Sequence, residues 1–361
     1  MKLGKRISVG SILMAAVIAT SACTPDMPPE LIAQLADSSI NCGSAGINVS
    51  APGAMTNVIN QWGSDYSGIC TGAPVMVSDQ PGTDDIQFTD SPIPPASCNT
   101  FLTIPAAIDG AAITTSVAGT DGIVIDSGTL SKLLNGKIKS WADPAITDLN
   151  PGLVLPDEPV VLATTVARPV AEAIDSWMKR IDPDNWQGIP SSFTITDTFD
   201  AVKALAAAPS EGEIGLVPFS YVTTNGLQSA AIQVDKGQEP VPANLQSIYS
   251  ALTQLTYSGS ETPLIPTLDP GMAPIPPAGD NVAPAPWQAI FPIYEHLCSG
   301  GTENDIRSFA RYSMRTDAQG FLATFNLQAL PLNIRGTVLN LVSRGLPSPS
   351  LIGDPSATPT P

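Results

Sequence analysis

The sequence predicts an α/β protein with room for two sheet-centred lobes. Short apolar runs of strand character alternate with helical stripes from Ile47 onward. The loops and helices between successive runs suit parallel crossovers rather than hairpins. The chain has 361 residues, enough for two such units.

The elements follow in order. Ile47–Ser50 (INVS) is a strand, and Ala51-Pro52-Gly53 a turn. Met55, Val58, Ile59 and Trp62 make an i, i+3, i+4, i+7 stripe, predicting a helix over Ala54–Trp62. Ala73–Ser78 and Ile86–Thr89 are strands, separated by a polar loop carrying Asp79, Asp84 and Asp85. Phe101–Val117 reads as two β-type runs around Pro105 and Gly110. Gly122–Ile125 is a strand and Thr129–Leu134 a helix stopped by Gly136. Pro159–Ala163 is a buried strand, and Val170–Arg180 and Asp200–Ala207 are helices. Gly215–Pro218 is a strand, with Tyr221 opening the return crossing. Leu245–Leu255 is helical. Eight prolines in residues 263–286 predict an extended excursion. Trp287–Tyr294 is a strand region, and Asp305–Arg315, Gly320–Ala329 and Asn333–Val342 are helices. The Ser/Thr/Pro-rich tail, 347–361, is expected to be disordered.

The amino end sets the compartment. Lys2, Lys5 and Arg6 precede an apolar run from Ile7 to Ala22, too short for a stable membrane span. Residues 1–22 read as a secretory signal. Thr20-Ser21-Ala22-Cys23 resembles a lipobox, so Cys23 is expected to carry lipid and begin a tether over 23–40. Ordinary cleavage after Ala22 is the alternative. The protein is thus expected outside the cytoplasm, anchored to the outer face of the cytoplasmic membrane.

Four cysteines remain: Cys42, Cys70, Cys98 and Cys298. In an exported protein they suggest two disulfides with three possible connectivities. Cys42 and Cys70 each lie five residues before a predicted strand. If those strands are parallel neighbours, the two cysteines share one end of the sheet. This favours Cys42–Cys70 and Cys98–Cys298.

Lys and Arg total 16 against 33 Asp and Glu, and setting aside the three signal cations leaves 13 against 33. Such a balance disfavours nucleic acid and long-range attraction of anions. An anion site here must rest on local dipoles. One histidine, His296, makes a zinc cluster unfavourable, and it reads as packed at a strand end. No nucleophile elbow, P-loop or dinucleotide fingerprint occurs, so neither enzyme nor cofactor is expected.

Ser131–Pro156, SKLLNGKIKSWADPAITDLNPGLVLP, resembles the L-x-x-I-(F/L)-x-G-K-I-x-x-W-x-D-P-x-I-x-x-L-N-P-G-x-x-L-P signature of the PstS-like phosphate-binding proteins of ABC import systems. EGEIGLVPFSYVTTNGL, FTDSPIP and INVSAPGAMTNVINQW resemble further family segments. The resemblance implies a type II periplasmic-binding-protein fold: two lobes of mainly parallel sheet flanked by helices, joined by two crossing strands. The first lobe would take 41–105 and 222–346, the second 106–221. It also implies a monomer that closes on a small ligand, possibly phosphate or another oxyanion, and delivers it to a membrane permease.

The implied ligand set is Gly53, Ser78, Asp90, Thr164, Thr165 and Arg168. Gly53 falls near the family's first-turn threonine, Ser78 near the second turn, and Asp90 at the ligand aspartate. The family's H/R-R-x-D-G-S-G-T-T/S cradle is altered here. Thr164 stands at its arginine and Thr165 next to it. Arg168, Pro169 and Val170 replace serine, glycine and threonine. Pro169 offers no N–H and Val170 no hydroxyl. A surface scaffold that has lost phosphate binding is therefore the alternative reading. A cleft for a cationic or organic ligand would follow if Asp79, Asp84 and Asp85 faced inward.

Overall fold

A computed structural model describes residues 27–352 apart from 52, 80–81, 197–208, 258–261, 278 and 301. The signal, Cys23 and the helix expected over Asp200–Ala207 lie outside the described residues.

The main sheet is built from β1 (Ile47–Ser50), β2 (Val75–Ser78), β3 (Ile86–Thr89), β4 (Thr100–Thr115), β5 (Val161–Leu162), β6 (Glu213–Pro218) and β7 (Ile290–Cys298). Their order across the sheet is β2-β1-β3-β7-β4-β6-β5, with Gln228–Ser229 also pairing β4. β1 lies parallel to both β2 and β3. β7 is antiparallel to β3 and β4. A second, three-stranded sheet pairs Val124–Asp126 with Ala231–Gln233 in parallel.

Two apolar cores flank this framework. The first takes Leu102, Ile104 and Ile108 from β4; the second takes Ala111, Ala112 and Ile113. One strand therefore feeds both lobes, changing core at Asp109-Gly110. Its hydrogen-bond partner changes at the same place. Gly110 pairs with Ile290 of β7, and Ala111 with Pro218 of β6. β7 crosses likewise, with Phe291 in the second core and Ile293 in the first. The helix Leu245–Leu252 spans the same waist, placing Ile248 in one core and Leu252 in the other.

Several elements differ from their sequence reading. Phe101–Val117 is not two runs but a single strand over Thr100–Thr115. Pro105, which has no N–H to donate, sits opposite Tyr294 beside a register shift at Ile293/Tyr294. The helix at Ala54 continues past Trp62 to Ile69, because Gly63 and Tyr66 extend the buried stripe and Gly63 rests on Val75. Pro159–Ala163 is not a buried strand: β5 covers only Val161–Leu162, with Val161 exposed at the sheet edge. Tyr221 does not open a crossing. It lies in the helix Phe219–Thr224, and the second core continues through Ala230, Ile232, Val241 and Ala243, past the division expected at residue 221. The helix expected over Gly320–Ala329 is a 3-10 turn, Phe321–Phe325, ended by left-handed Asn326. In the tail, Ser350–Leu351 pair with Ser39–Ile40.

Disulfides join Cys42 to Cys70 and Cys98 to Cys298. Ile47 stands level with Val75 in parallel register, so the equal five-residue offsets bring Cys42 and Cys70 to one sheet end.

Candidate functional site

Parallel strands end at the same edge of a sheet, and the turns that follow present helix N-termini there. β1 ends in such a turn. Gly53 adopts φ 64°, a conformation costly for side-chain-bearing residues, and caps the helix Ala54–Ile69. β3 ends beside it at Thr89, followed by buried Asp90. On the other side of the waist, β6 runs directly into the helix Phe219–Thr224.

Between these ends lies a narrow, half-open cleft. Ala54, Met55, Phe88 and Ile293 give it an apolar wall from the first lobe. Its polar groups are Thr89, Asp109, Ser220 and Tyr221. Asp109 comes from the waist of β4, and Ser220 and Tyr221 from the second lobe. Both lobes thus contribute to one site.

Asp109 is the most constrained of these groups. Its Oδ1 accepts the N–H of Gly110 at 2.7 Å and that of Ser220 at 3.1 Å. Its Oδ2 accepts the Ser220 hydroxyl at 2.6 Å. Burial pushes its pKa up to about 7 against the lowering effect of these bonds. Gly110 beside it is closely packed: a Cβ there would meet the tip of the Ile248 side chain at 2.7 Å.

Thr89 is held from behind by His296. The imidazole is fully buried on β7. Its Nδ1 lies 3.0 Å from the Thr103 hydroxyl, and its Nε2 lies 2.8 Å from the Thr89 hydroxyl and 3.1 Å from the Ser91 carbonyl. A carbonyl only accepts, so Nε2 carries the proton and Nδ1 accepts. Burial lowers the pKa to about 4, leaving the ring neutral at neutral pH. The histidine is a support for the cleft wall.

The sequence-predicted residues divide into two groups. Gly53 and Asp90 flank the cleft as immediate neighbours of the lining residues Ala54 and Thr89. Ser78 ends β2, one strand further out. Thr165 instead lines a separate cleft with Thr114, Thr115 and Glu213. Thr164 is exposed, and its carbonyl accepts the N–H of Thr194. Arg168 opens the helix Arg168–Ile181 at an exposed position. Pro169 and Val170 are buried, Val170 in the second core. The acidic loop does not face inward: Asp79 is exposed, Asp84 accepts the N–H of Gly82, and Asp85 accepts that of Asn48.

Sequence reasoning passed over Asp109, Ser220 and Tyr221. The signal was there for Asp109, a lone acid inside the apolar run Ile104–Thr115. A carboxylate in such a run is either exposed at an edge or bonded within. Among the described residues there is no cluster of metal-ligating side chains, and no helix is long and apolar enough to cross a membrane.

A waisted pair of sheet-centred lobes with a cleft at converging strand ends defines the type II periplasmic-binding-protein fold. Solved structures agree. A high-affinity periplasmic phosphate-binding protein bound with phosphate aligns at TM-score 0.53 and 12% identity, covering 85% of this chain and 100% of that one. A putative phosphate ABC transporter substrate-binding protein from Clostridium perfringens aligns at TM-score 0.50 and 12% identity, covering 79% and 100%.

In sequence, the chain is PstS-like. It is 25% identical over 202 residues to the phosphate-binding protein PstS 3 of Mycobacterium leprae, covering 54% of this chain and 53% of that protein. It is 21% identical over 228 residues to PstS 2 of Mycobacterium tuberculosis, covering 60% of each. The chain thus spans only 53% to 60% of the length of these relatives. No family model matches it.

Proposed function

We propose that this protein is an extracytoplasmic solute-binding protein of the phosphate-binder type. Its two lobes close on a small oxyanion, with phosphate the first candidate, and deliver it to a membrane permease. The observation that carries this reading is the cleft at the waist. There the N-terminus of a sixteen-residue helix and the tip of β3 face Ser220 and Tyr221 of the other lobe. Free N–H groups and the helix dipole at such an end favour an anion without any net positive field. Of the predicted residues, Gly53 and Asp90 stand next in the chain to lining residues, which supports a role for them here. Ser78 sits at its margin, and Arg168 joins only if closure swings it inward. Lipid on Cys23 would keep the protein at the outer face of the cytoplasmic membrane.

Calorimetric titration of the mature protein with phosphate, arsenate and sulfate tests the reading. Saturable heat with at least one oxyanion is expected. None across the set would remove the oxyanion claim.

One observation favours a second reading. At the family's glycine-rich cradle stand buried Pro169 and Val170, so the glycine N–H and the threonine hydroxyl of that cradle have no counterpart here. A binding-protein fold used as a surface scaffold fits that loss. An unchanged radius of gyration in solution with and without each oxyanion would support it.

A further inference from the structure

Asp109 and Ser220 both line the cleft, and each is only 2% exposed. Their side-chain oxygens lie 2.6 Å apart. Among the described residues, those that line the cleft with Asp109 carry no positive charge. Met55 and Phe88 face it from the first lobe, Phe291 stands opposite it on β7, and Ile248 of the Leu245–Leu252 helix packs on Gly110. Of the described lining residues, Tyr221 is the other ionisable group, and Asp90 follows the lining residue Thr89 in the chain.

Two hydrogen-bond arrangements fit this separation. With Asp109 ionised, the Ser220 hydroxyl donates to Oδ2, and Ser220 shows the cleft only its lone pairs. An oxyanion entering then meets acceptors and a negative charge. With Asp109 protonated, Oδ2–H donates to Ser220 Oγ, and the hydroxyl proton of Ser220 is released to turn into the cleft. The proton comes from solvent and forms the Oδ2–H bond; no bond between heavy atoms changes.

We propose that Asp109 and Ser220 form a proton-linked polarity switch, through which the cleft holds an oxyanion when Asp109 carries a proton and releases it when Asp109 ionises. This rests on the oxyanion reading above and adds a regulation to it. The burial that raises the Asp109 pKa to about 7 puts the change in the neutral range.

The test is calorimetric titration with inorganic phosphate from about pH 6 to about pH 8.5, on the wild-type chain, Asp109→Asn and Ser220→Ala. The titration of phosphate itself is common to all three, so affinities are compared as ratios at each pH. An asparagine amide donates to Ser220 Oγ as the protonated acid does. Asp109→Asn is therefore expected to match wild type near pH 6 and to bind roughly tenfold more tightly near pH 8.5. Ser220→Ala is expected to lose about tenfold near pH 6. A wild-type to Asp109→Asn ratio that stays constant with pH overturns the switch alone. No heat from either protein at any pH overturns the phosphate reading, and the switch falls with it. Carbon-13 carboxyl spectra of the wild-type protein give a readout that does not need the variants to fold. One aspartate titrating near neutral pH is expected, and all aspartates titrating below about pH 5 would overturn the switch.

Discussion

Trp287 stands edge-on against Trp177, with ring centroids 4.7 Å apart and an interplanar angle of 66°. Its indole N–H donates to the Ala111 carbonyl at 2.9 Å. Trp177 belongs to the helix over the second core, Ala111 to β4 just beyond the waist, and Trp287 to the segment entering β7. One side chain thus fastens both crossing strands to the same lobe. Trp287→Ala is expected to destabilise the fold by about 3–5 kcal/mol, through a large cavity and an orphaned carbonyl. Trp287→Phe keeps most of the volume and loses only the donor, so a cost of about 1–2 kcal/mol is expected. Denaturant unfolding of both variants checks this. Equal costs would show that volume is not what the position supplies.

Gly336 is a notch for the amino-terminal segment. It sits mid-helix in Leu332–Val342, where glycine ordinarily weakens a helix. The reason is contact: a Cβ there would collide with the backbone carbonyl of Pro29. Pro29–Asp37 packs on this helix and is held at its far end by arginines. Arg311 and Arg315 donate to the Ser39 carbonyl, and Arg335 lies 3.6 Å from Asp37. Gly336→Ala is expected to lift Pro29–Asp37 from the lobe, despite the better helix propensity of alanine. Limited proteolysis should cut near residue 30 in the variant and not in wild type. A loss of about 1–3 kcal/mol should accompany it.

The first lobe was legible because its chemistry is local. INVS, APVMVS and IQFT are strand runs, and the Met55–Trp62 stripe marks a helix whatever surrounds it. The Cys42–Cys70 pairing followed from equal offsets before two strands that prove parallel, and Cys98–Cys298 was the pair left over. The waist was harder to read. Pro105 and Gly110 look like strand breakers, and only the tertiary partners show otherwise. A bulge accommodates the proline, and Ile248 fills the space beside the glycine. The cleft was half legible. Gly53 and Asp90 carry their position in the chain order of strand and turn. Ser220 and Asp109 come together from 111 residues apart, and no local pattern announces that. In the 164–170 segment the sequence did not show which side chains pack away: Pro169 and Val170 are buried, while Thr164 and Arg168 stay exposed.

The Cys98–Cys298 bridge closes a loop of 200 residues, far longer than that of Cys42–Cys70, with 28. Loop-closure entropy grows with the logarithm of length, so the long bridge restrains the unfolded chain more. It also links the loop after β3 to the end of β7, level with Asp85 at the start of β3. Replacing Cys98 and Cys298 together by serine is expected to cost roughly 2–5 kcal/mol, and more than replacing Cys42 and Cys70. Thermal unfolding of the two double variants under oxidising conditions gives the order. A larger loss from the short loop would mean that native packing around Cys42 outweighs the entropic term.

Glu295 is fully buried on β7 between Phe88 and Ile104. Its Oε2 accepts the Ser313 hydroxyl at 3.2 Å, and among the described residues nothing bonds Oε1. Burial raises its pKa to about 8, so the folded protein holds a proton there that the unfolded chain, near the ordinary glutamate value, releases. The folded state then binds more protons than the unfolded one between those two values. Stability from this group is complete in acid and is lost as pH rises through about 8. His296, lowered to about 4, has the opposite sign: its contribution is lost as pH falls below the ordinary histidine range. Glu295→Gln removes the alkaline loss while keeping the shape. It is expected to be near neutral around pH 4 and to stabilise by up to roughly 4 kcal/mol at pH 9. Urea unfolding of variant and wild type across that range checks the sign. A difference that does not grow with pH would mean that Glu295 enters the fold already ionised, which its unbonded Oε1 argues against.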